Sequence, residues 1–240
     1  MAQKKLLRFN QIRTFPNVTE YPKDMAGRWS DFFSNPQPLV LELACGRGEY
    51  TVGLAAMHPE RNHLGVDVKG NRIYVGAKKA LDQSLTNAGF LRTQIEMIAE
   101  YFAPGEVDEI WITFPDPQLR TSKSKKRLTH PRFLRMYQTF LKPGGSIHLK
   151  TDSPNLYAFT LLALENVGIV PEESCDDVYA QTDRDIRLNI QTHYERLDIA
   201  QSQQIHYIRF TLPETPLEDR DADLHALLRA EQNEHDQHEA

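Results

Sequence analysis

Short runs of apolar and β-branched residues alternate with longer stretches whose apolar positions recur every three to four residues, and the alternation begins after Pro38. Leu39–Leu43, Asn62–Val66, Phe90–Thr93, Glu109–Phe114 and Ser146–Lys150 read as strands. Tyr50–Met57, Asn71–Asn87, Met97–Phe102 and His130–Leu141 read as the helices between them. Such an alternation predicts an α/β fold whose strands lie parallel, joined by right-handed crossovers. A further helix near Asn155–Val167 precedes two β-like runs, Ser174–Ala180 and Ile205–Leu212, and the second can close the sheet as an antiparallel strand. The expected sheet is mostly parallel and seven-stranded, with helices on both faces. Upstream, Pro16, Pro22 and Pro36 break residues 1–37 into an irregular arm with one short helix near Lys23–Phe33. Beyond Pro216 the chain is charged and, apart from Leu224, Leu227 and Leu228, poor in large apolar residues, which predicts a frayed helix or a disordered tail. The chain thus divides into an arm (1–37), a regular α/β domain (38–213) and a tail (214–240).

Charge changes this picture once it is divided along the chain. The formal net charge is −5, which looks wrong for a polyanionic partner. From Glu214 to Ala240, however, nine acids stand against Arg220 and Arg229, so this tail carries −7 and the rest of the chain +2 (−5 plus 7). Within the body the cations cluster. Lys4, Lys5, Arg8 and Arg13 precede any acid, and Arg120–Arg135 holds seven Lys and Arg with no Asp or Glu, giving two candidate phosphate-facing patches. No apolar run approaches the roughly 20 residues a membrane-spanning helix needs. The basic N-terminus lacks the apolar stretch of a secretory signal, so a cytoplasmic protein is expected. Cys45 and Cys175 have no metal-ligand spacing and read as thiols; no metal site is expected.

The first strand, Leu39–Leu43, runs into Ala44-Cys45-Gly46-Arg47-Gly48 and then directly into a helix. Gly46 and Gly48 let a ligand approach the backbone closely. The next strand ends at Asp67, 19 residues after Gly48, where a nucleotide-binding unit places a carboxylate on the ribose hydroxyls. Glu42, at the end of the first strand, suits a cofactor carrying an ammonium and a sulfonium, and would repel the pyrophosphate of a dinucleotide. With the Leu141-Lys142-Pro143-Gly144-Gly145 turn, these residues resemble class I S-adenosylmethionine-dependent methyltransferases, which implies their Rossmann-like fold. Ala44 departs from that family's usual first glycine.

The fourth strand ends Thr113-Phe114-Pro115-Asp116-Pro117, at the carboxyl edge where α/β enzymes bind ligands. Prolines on both sides stiffen the chain around Asp116. The basic run Arg120, Lys123, Lys125, Lys126, Arg127, Arg132 and Arg135 follows at once and suits a polyanionic acceptor. Taken with Thr151-Asp152 and Thr192-x-Tyr194-Glu195-Arg196, these segments resemble bacterial single-subunit tRNA (guanine-N7)-methyltransferases from about Leu6 to Leu212. The resemblance implies methyl transfer from S-adenosylmethionine to N7 of a variable-loop guanosine, position 46 in tRNA numbering. It further implies that Glu42, Gly46, Gly48, Asp67 and Gln94 hold the cofactor and that Asp116 is the catalytic aspartate. Arg120, Lys125, Lys126, Arg127, Asp152, Thr192, Tyr194 and Glu195 fall on the substrate side. Arg120 stands where the family has lysine, Gln118 where it has tryptophan and Gln94 where it has an acid. tRNA is the expected partner of a monomer or homodimer, with no obligate protein partner and no membrane.

Two rival readings make different demands. An adenine or cytosine amino-methylase uses an Asp/Asn-Pro-Pro-aromatic turn after the fourth strand, and here Gln118 follows Pro117. A non-catalytic RNA-binding module on the same fold would gain nothing from Glu42, Asp67, Asp116 and Asp152 at one sheet edge. His130, His148 and His193 lack metal spacing and read as core or surface histidines. Trp111 reads as core, Cys45 as a small residue in a tight turn, and Trp29 as either a packing anchor or an RNA-stacking residue.

Overall fold

The five apolar runs become central strands because helices cover the sheet on both faces: every residue of β2 (Leu39–Leu43) and β3 (Asn62–Asp67) is buried. The computed structural model describes residues 2–197, 201 and 203–238, with side chains from residue 6 to residue 230. Before these two strands comes β1 (Val18–Glu20). After them come β4 (Ala88–Arg92), β5 (Val107–Thr113), β6 (Leu141–Thr151), β7 (Glu173–Cys175) and β8 (His206–Thr211). Across the sheet the order is β1-β4-β3-β2-β5-β6-β8-β7. Pairings from β1 through β6 are parallel, while β8 runs antiparallel between β6 and β7. The chain reverses direction across the sheet on either side of β2 and β5, which is where an open α/β sheet forms its ligand crevice.

Seven of these strands make the expected sheet, and the eighth comes from the N-terminal segment. β1 is three half-buried residues, Val-Thr-Glu, added in parallel register to β4. Its brevity and its flanking prolines hide it from any test of periodicity. The same segment carries α1 (Ala2–Gln11) and α2 (Trp29–Phe33). Trp29 is a packing anchor: its indole N–H donates to the Tyr101 carbonyl at 2.8 Å and its ring stacks on Phe102 at 5.4 Å. The side chains of Lys4 and Lys5, half of the expected N-terminal patch, lie outside the described residues.

α3 (Glu49–Met57) and α4 (Gly70–Asp82) follow β2 and β3, and α5 (Pro131–Gln138) and α6 (Pro154–Asn166) flank β6. Proline opens both α5 and α6, and the preceding residue caps each: His130 Nδ1 accepts from the Arg132 N–H and Ser153 Oγ from the Leu156 N–H, both at 3.2 Å. Alternate residues of β2 serve opposite faces. Leu39, Leu41 and Leu43 join the large core beneath α5 and α6, and Val40 packs with Tyr50, Trp111 and Tyr207 on the other. The stretch expected as a helix at Met97–Phe102 is a 3₁₀ turn, Ile95–Tyr101, and the run Ser174–Ala180 is strand only as far as Cys175.

The acidic tail forms α7 (Asp221–His238), docked on the body: Leu224 is fully buried in the large core and Arg135 reaches Asp221 at 3.1 Å. Leu217 and Leu224, seven residues apart, supply the apolar anchorage that a tail of this charge would otherwise lack. Glu239 and Ala240 lie outside the described residues. Among the described residues, no helix is long and apolar enough to cross a membrane, and no group of three or more His, Cys, Asp and Glu could hold a metal ion.

Candidate active site

The carboxyl ends of β2, β3, β5 and β6 open into one cleft with two lobes, of about 200 and about 480 Å³, which share Ala44, Asp67, Pro115 and Asp116 as walls. One side is built by the turn after β2. Ala44, Gly46 and Gly48 all lie in the left-handed region, at φ +57°, +56° and +69°. A Cβ on Gly48 would come within 2.5 Å of the Phe90 ring, so both backbone geometry and space require glycine there. Ala44 adopts the conformation at a cost of roughly 1 kcal/mol. Asp67 is fastened by backbone alone: one oxygen accepts from the Gly46 N–H at 3.0 Å and the other from the Lys69 N–H at 2.7 Å. Val68, Ile95, Thr93 and Gln94 line the smaller lobe beside it.

Glu42 sits behind this turn rather than in the cleft wall. One oxygen accepts from the Thr51 N–H at 2.7 Å and Oγ1 at 2.6 Å, and the other from Thr113 Oγ1 at 2.8 Å. Burial pushes its carboxyl up to about 7 even though these hydrogen bonds favour the ionised form. Burial also drives the Cys45 thiol well above its ordinary value, with Glu42 and Asp67 adding to the rise, so this cysteine is inert filler of the turn.

The opposite side is built by the loop after β5. Phe114 and Gln118 both take φ +47°, an unusual conformation for either residue that bends the chain at each end of Pro115-Asp116-Pro117. Asp116 is exposed, and one of its oxygens accepts from the Gln118 N–H at 3.0 Å, an Asx turn that holds the side chain over the loop. Asp152 and Ser153, after β6, line the same lobe, as do Lys69, Arg72, Leu119 and Tyr194.

Arg127 corrects the reading of the basic run as uniformly phosphate-facing. It is 3% exposed and is consumed internally. Its guanidinium donates to the carbonyls of Pro117 at 3.0 Å and Gln118 at 3.1 Å and to Asn155 Oδ1 at 2.9 Å, and it stacks 4.3 Å over Phe159. It therefore ties the loop bearing Asp116 to the first turn of the helix that follows Asp152. Arg135 is likewise spent, on the tail. Arg120, Lys123, Lys125 and Lys126 remain exposed, and Lys126 reaches the smaller lobe.

The segment expected from Thr192 to Glu195 divides in the same way. Thr192 and Glu195 bond to each other: the Glu195 N–H donates to Thr192 Oγ1 at 3.1 Å, and the Thr192 N–H to Glu195 Oε2 at 3.2 Å. The Glu195 carboxylate also receives the buried Lys150 ammonium at 3.1 Å and the Tyr179 hydroxyl. These two residues fasten the segment to β6 and face inward, so a direct substrate contact from either is not part of this geometry. Tyr194, between them, does line the cleft; its ring lies 3.5 Å from where a Gly46 Cβ would be. Sequence reasoning missed Lys150 because burial of a strand lysine has no local signature. It missed Lys69 and Arg72 because, although they follow Asp67 closely, single cations at the start of a helix carry no motif of their own.

A nucleoside cofactor fits the side built by the turn. The Asp67 carboxylate has its position fixed by backbone amides and gives a cationic donor a favourable field, and Val68 and Ile95 line the lobe beside it. His148 is core, stacked at 4.1 Å on Trp111, and His130 is the cap of α5, so neither takes part.

Comparison with known proteins agrees with this geometry. The family model described as "Putative methyltransferase" matches residues 36–208, which defines the class of protein as a methyltransferase. A Porphyromonas gingivalis protein named tRNA (guanine-N(7)-)-methyltransferase is 47% identical over 89% of this chain and 91% of its own length. A Christiangramia forsetii protein of the same name is 43% identical over 88% of this chain and 99% of its own length. The chain belongs to the tRNA (guanine-N(7)-)-methyltransferase family. Among solved structures, the 16S rRNA methyltransferase KamB superposes with a TM-score of 0.59 at 16% identity, covering 78% of this chain and 93% of that one, a likeness of fold.

Proposed function

We propose that this protein transfers a methyl group from S-adenosylmethionine to N7 of a guanine in tRNA, the variable-loop guanosine. The observation that carries the reading is the shared cleft: Asp67 and Asp116 wall one hollow, flanked by the exposed cations of the 120–126 segment. Asp67 would hold the ribose hydroxyls, Gly46 and Gly48 would give the cofactor access to backbone, and Gln94, in the same lobe as Asp67, would hold the base. Glu42 acts from behind the turn, holding Thr51 and Thr113.

S-adenosylmethionine supplies an electrophilic methyl carbon. Guanine N7 offers an in-plane lone pair and no proton, so methyl transfer to it would need no strong general base from this chain. Positioning is the protein's main task, and alignment of two bound reactants can supply on the order of 7 to 11 kcal/mol. Asp116 and Asp152 accept hydrogen bonds from the guanine N1–H and exocyclic amine, which orients N7 and stabilises the ring as it becomes cationic. Arg127 is a positioning residue that holds the Asp116 loop against the segment following Asp152. Arg120, Lys125 and Lys126 meet phosphates, and Tyr194 offers a ring face to the cleft. Thr192 and Glu195 support Tyr194 from within.

The test is methyl transfer from labelled S-adenosylmethionine to bulk tRNA lacking the modification, followed by nucleoside analysis by mass spectrometry. 7-Methylguanosine at the variable loop is expected. A methyl group on any other atom would overturn the acceptor assignment, and no transfer despite tight tRNA binding would favour the non-catalytic module.

A further inference from the structure

The described cations differ in whether a carboxylate already holds them. Arg61, Lys78 and Lys142, toward the amino ends of the strands, are paired with Glu109, Asp82 and Asp108 at 2.5, 2.7 and 2.7 Å. Such cations are largely satisfied within the protein. Lys69 and Arg72, at the start of α4, are different: they stand in the wall of the larger lobe and have no carboxylate partner among the described residues. Arg72 is nevertheless ordered, because its guanidinium lies 5.3 Å over the Tyr194 ring. Stacking on a ring face fixes the plane of a guanidinium while leaving its N–H edge open, the arrangement that suits a phosphate. Lys69 and Arg72 wall the larger lobe, whereas Lys126, from the other cationic segment, reaches the smaller lobe, with the shared Asp67 and Asp116 between them.

We infer that Lys69 and Arg72 form a second phosphate-binding rim, so that the RNA strand bearing the target base is held by its backbone on both flanks of the cleft. The inference rests on the functional reading above and adds to it. A single cationic flank would anchor the strand on one side of the target nucleotide only and leave the base free to swing about that anchor. Cations on both sides fix the nucleotide between two held phosphates, and the base then enters above Asp116. The two rims differ in build. Arg120 to Lys126 is a run of exposed side chains on a loop, whereas Lys69 and Arg72 sit at the start of a helix packed on the sheet.

The experiment compares wild type with Lys69→Ala/Arg72→Ala, Arg72→Lys and Lys142→Ala. It measures tRNA affinity across potassium chloride concentrations and S-adenosylmethionine affinity by calorimetry. Removing one cation from its phosphate lowers the slope of log K against log salt by about 0.7 to 0.9. The double variant should therefore show a slope shallower by about 1.5 and bind tRNA about tenfold more weakly at moderate salt, with cofactor affinity within twofold of wild type. That last value also reports that the variant is folded. Arg72→Lys keeps the charge and should keep most of the slope, and Lys142→Ala at the far edge should leave the slope unchanged. An unchanged slope in the double variant overturns the rim. So does a loss of cofactor affinity with the slope intact, which would assign these cations to the donor's own carboxylate. The functional reading is judged separately on wild type, by whether the bound tRNA acquires 7-methylguanosine.

Discussion

The two walls of the cleft are held in place by different means. The donor wall is fixed by the main chain: left-handed Ala44, Gly46 and Gly48 set the turn, and both oxygens of Asp67 rest on backbone N–H groups. The acceptor wall is fixed by two buried cations. Arg127 gathers the carbonyls of the 117–118 loop together with Asn155, and Lys150 gathers Glu195 and the carbonyls of Leu188 and Ile190. Such fastening asks for residues that tolerate the turn but makes no contact that depends on the acceptor. Fastening by buried charge depends on every partner being present, since a buried cation stripped of its acceptors is costly. The contrast predicts that substitutions on the donor side change cofactor affinity, and that those on the acceptor side change turnover with cofactor affinity left alone.

The largest effect expected from this division is at Asp116. Asp116→Ala should lower kcat by about 10³ to 10⁴, or roughly 4 to 5.5 kcal/mol of transition-state stabilisation. Affinity for S-adenosylmethionine should stay within twofold, since the carboxylate that holds the ribose lies on the other wall. Asp67→Ala should show the reverse emphasis, with cofactor affinity falling by more than tenfold. Steady-state kinetics beside calorimetry on both variants decides the matter. A loss of cofactor affinity in Asp116→Ala equal to its loss of turnover would erase the distinction between the walls.

Much of the donor wall was legible in the sequence because its residues follow from strand ends. Glycines after the first strand, an acid at the end of the second and Gln94 just past the end of β4 need only the position of each strand to be placed. Asp116 was legible for the same reason. The acceptor wall was not, because what distinguishes its residues lies far away in the chain. Lys126 and Arg127 are neighbours in one basic run, and only the carbonyls of Pro117 and Gln118, with Asn155 and Phe159, decide that the second turns inward. Glu195 carries a recognisable motif, but its partner Lys150 lies 45 residues earlier in a strand. β1 has three residues and no periodicity to detect, and the docking of α7 depends on Leu217 and Leu224 finding a core made by other elements.

Glu42 offers a second, smaller way to probe the donor wall, through pH. Its carboxyl rises from 4.5 to about 7 on folding, because burial disfavours the charge more than Thr51 and Thr113 favour it. The native state therefore binds more protons than the unfolded chain between those values, and stability falls as pH rises through that window. The span corresponds to about 3 kcal/mol, present in full below pH 4.5 and lost above about 7. Glu42→Gln keeps the shape and an acceptor for Thr51 while removing the titration. Its stability, followed by denaturant unfolding without cofactor, should lack this component of the pH dependence. An identical slope in wild type and variant would show that the carboxyl does not titrate in this range.

The smallest of these effects tests the acceptor wall, and it is the most selective. Arg127→Lys keeps the buried charge but replaces a planar fork with a single ammonium, which cannot reach the Pro117 and Gln118 carbonyls and Asn155 together. The loop bearing Asp116 should then wander relative to the segment after Asp152, and a small misplacement of a reacting geometry lowers rate more than binding. A fall in kcat of about tenfold is expected, with KM for tRNA changed less than threefold and cofactor affinity unaltered. A phosphate contact at Arg127 would give a different signature: weaker tRNA binding, a shallower dependence of affinity on salt, and partial retention of function by lysine because the charge is kept. The salt slope therefore separates the two roles even where both lower overall activity. A slope unchanged from wild type, with turnover reduced, would mean that this arginine shapes the acceptor wall from behind and leaves the nucleotide chain to its exposed neighbours.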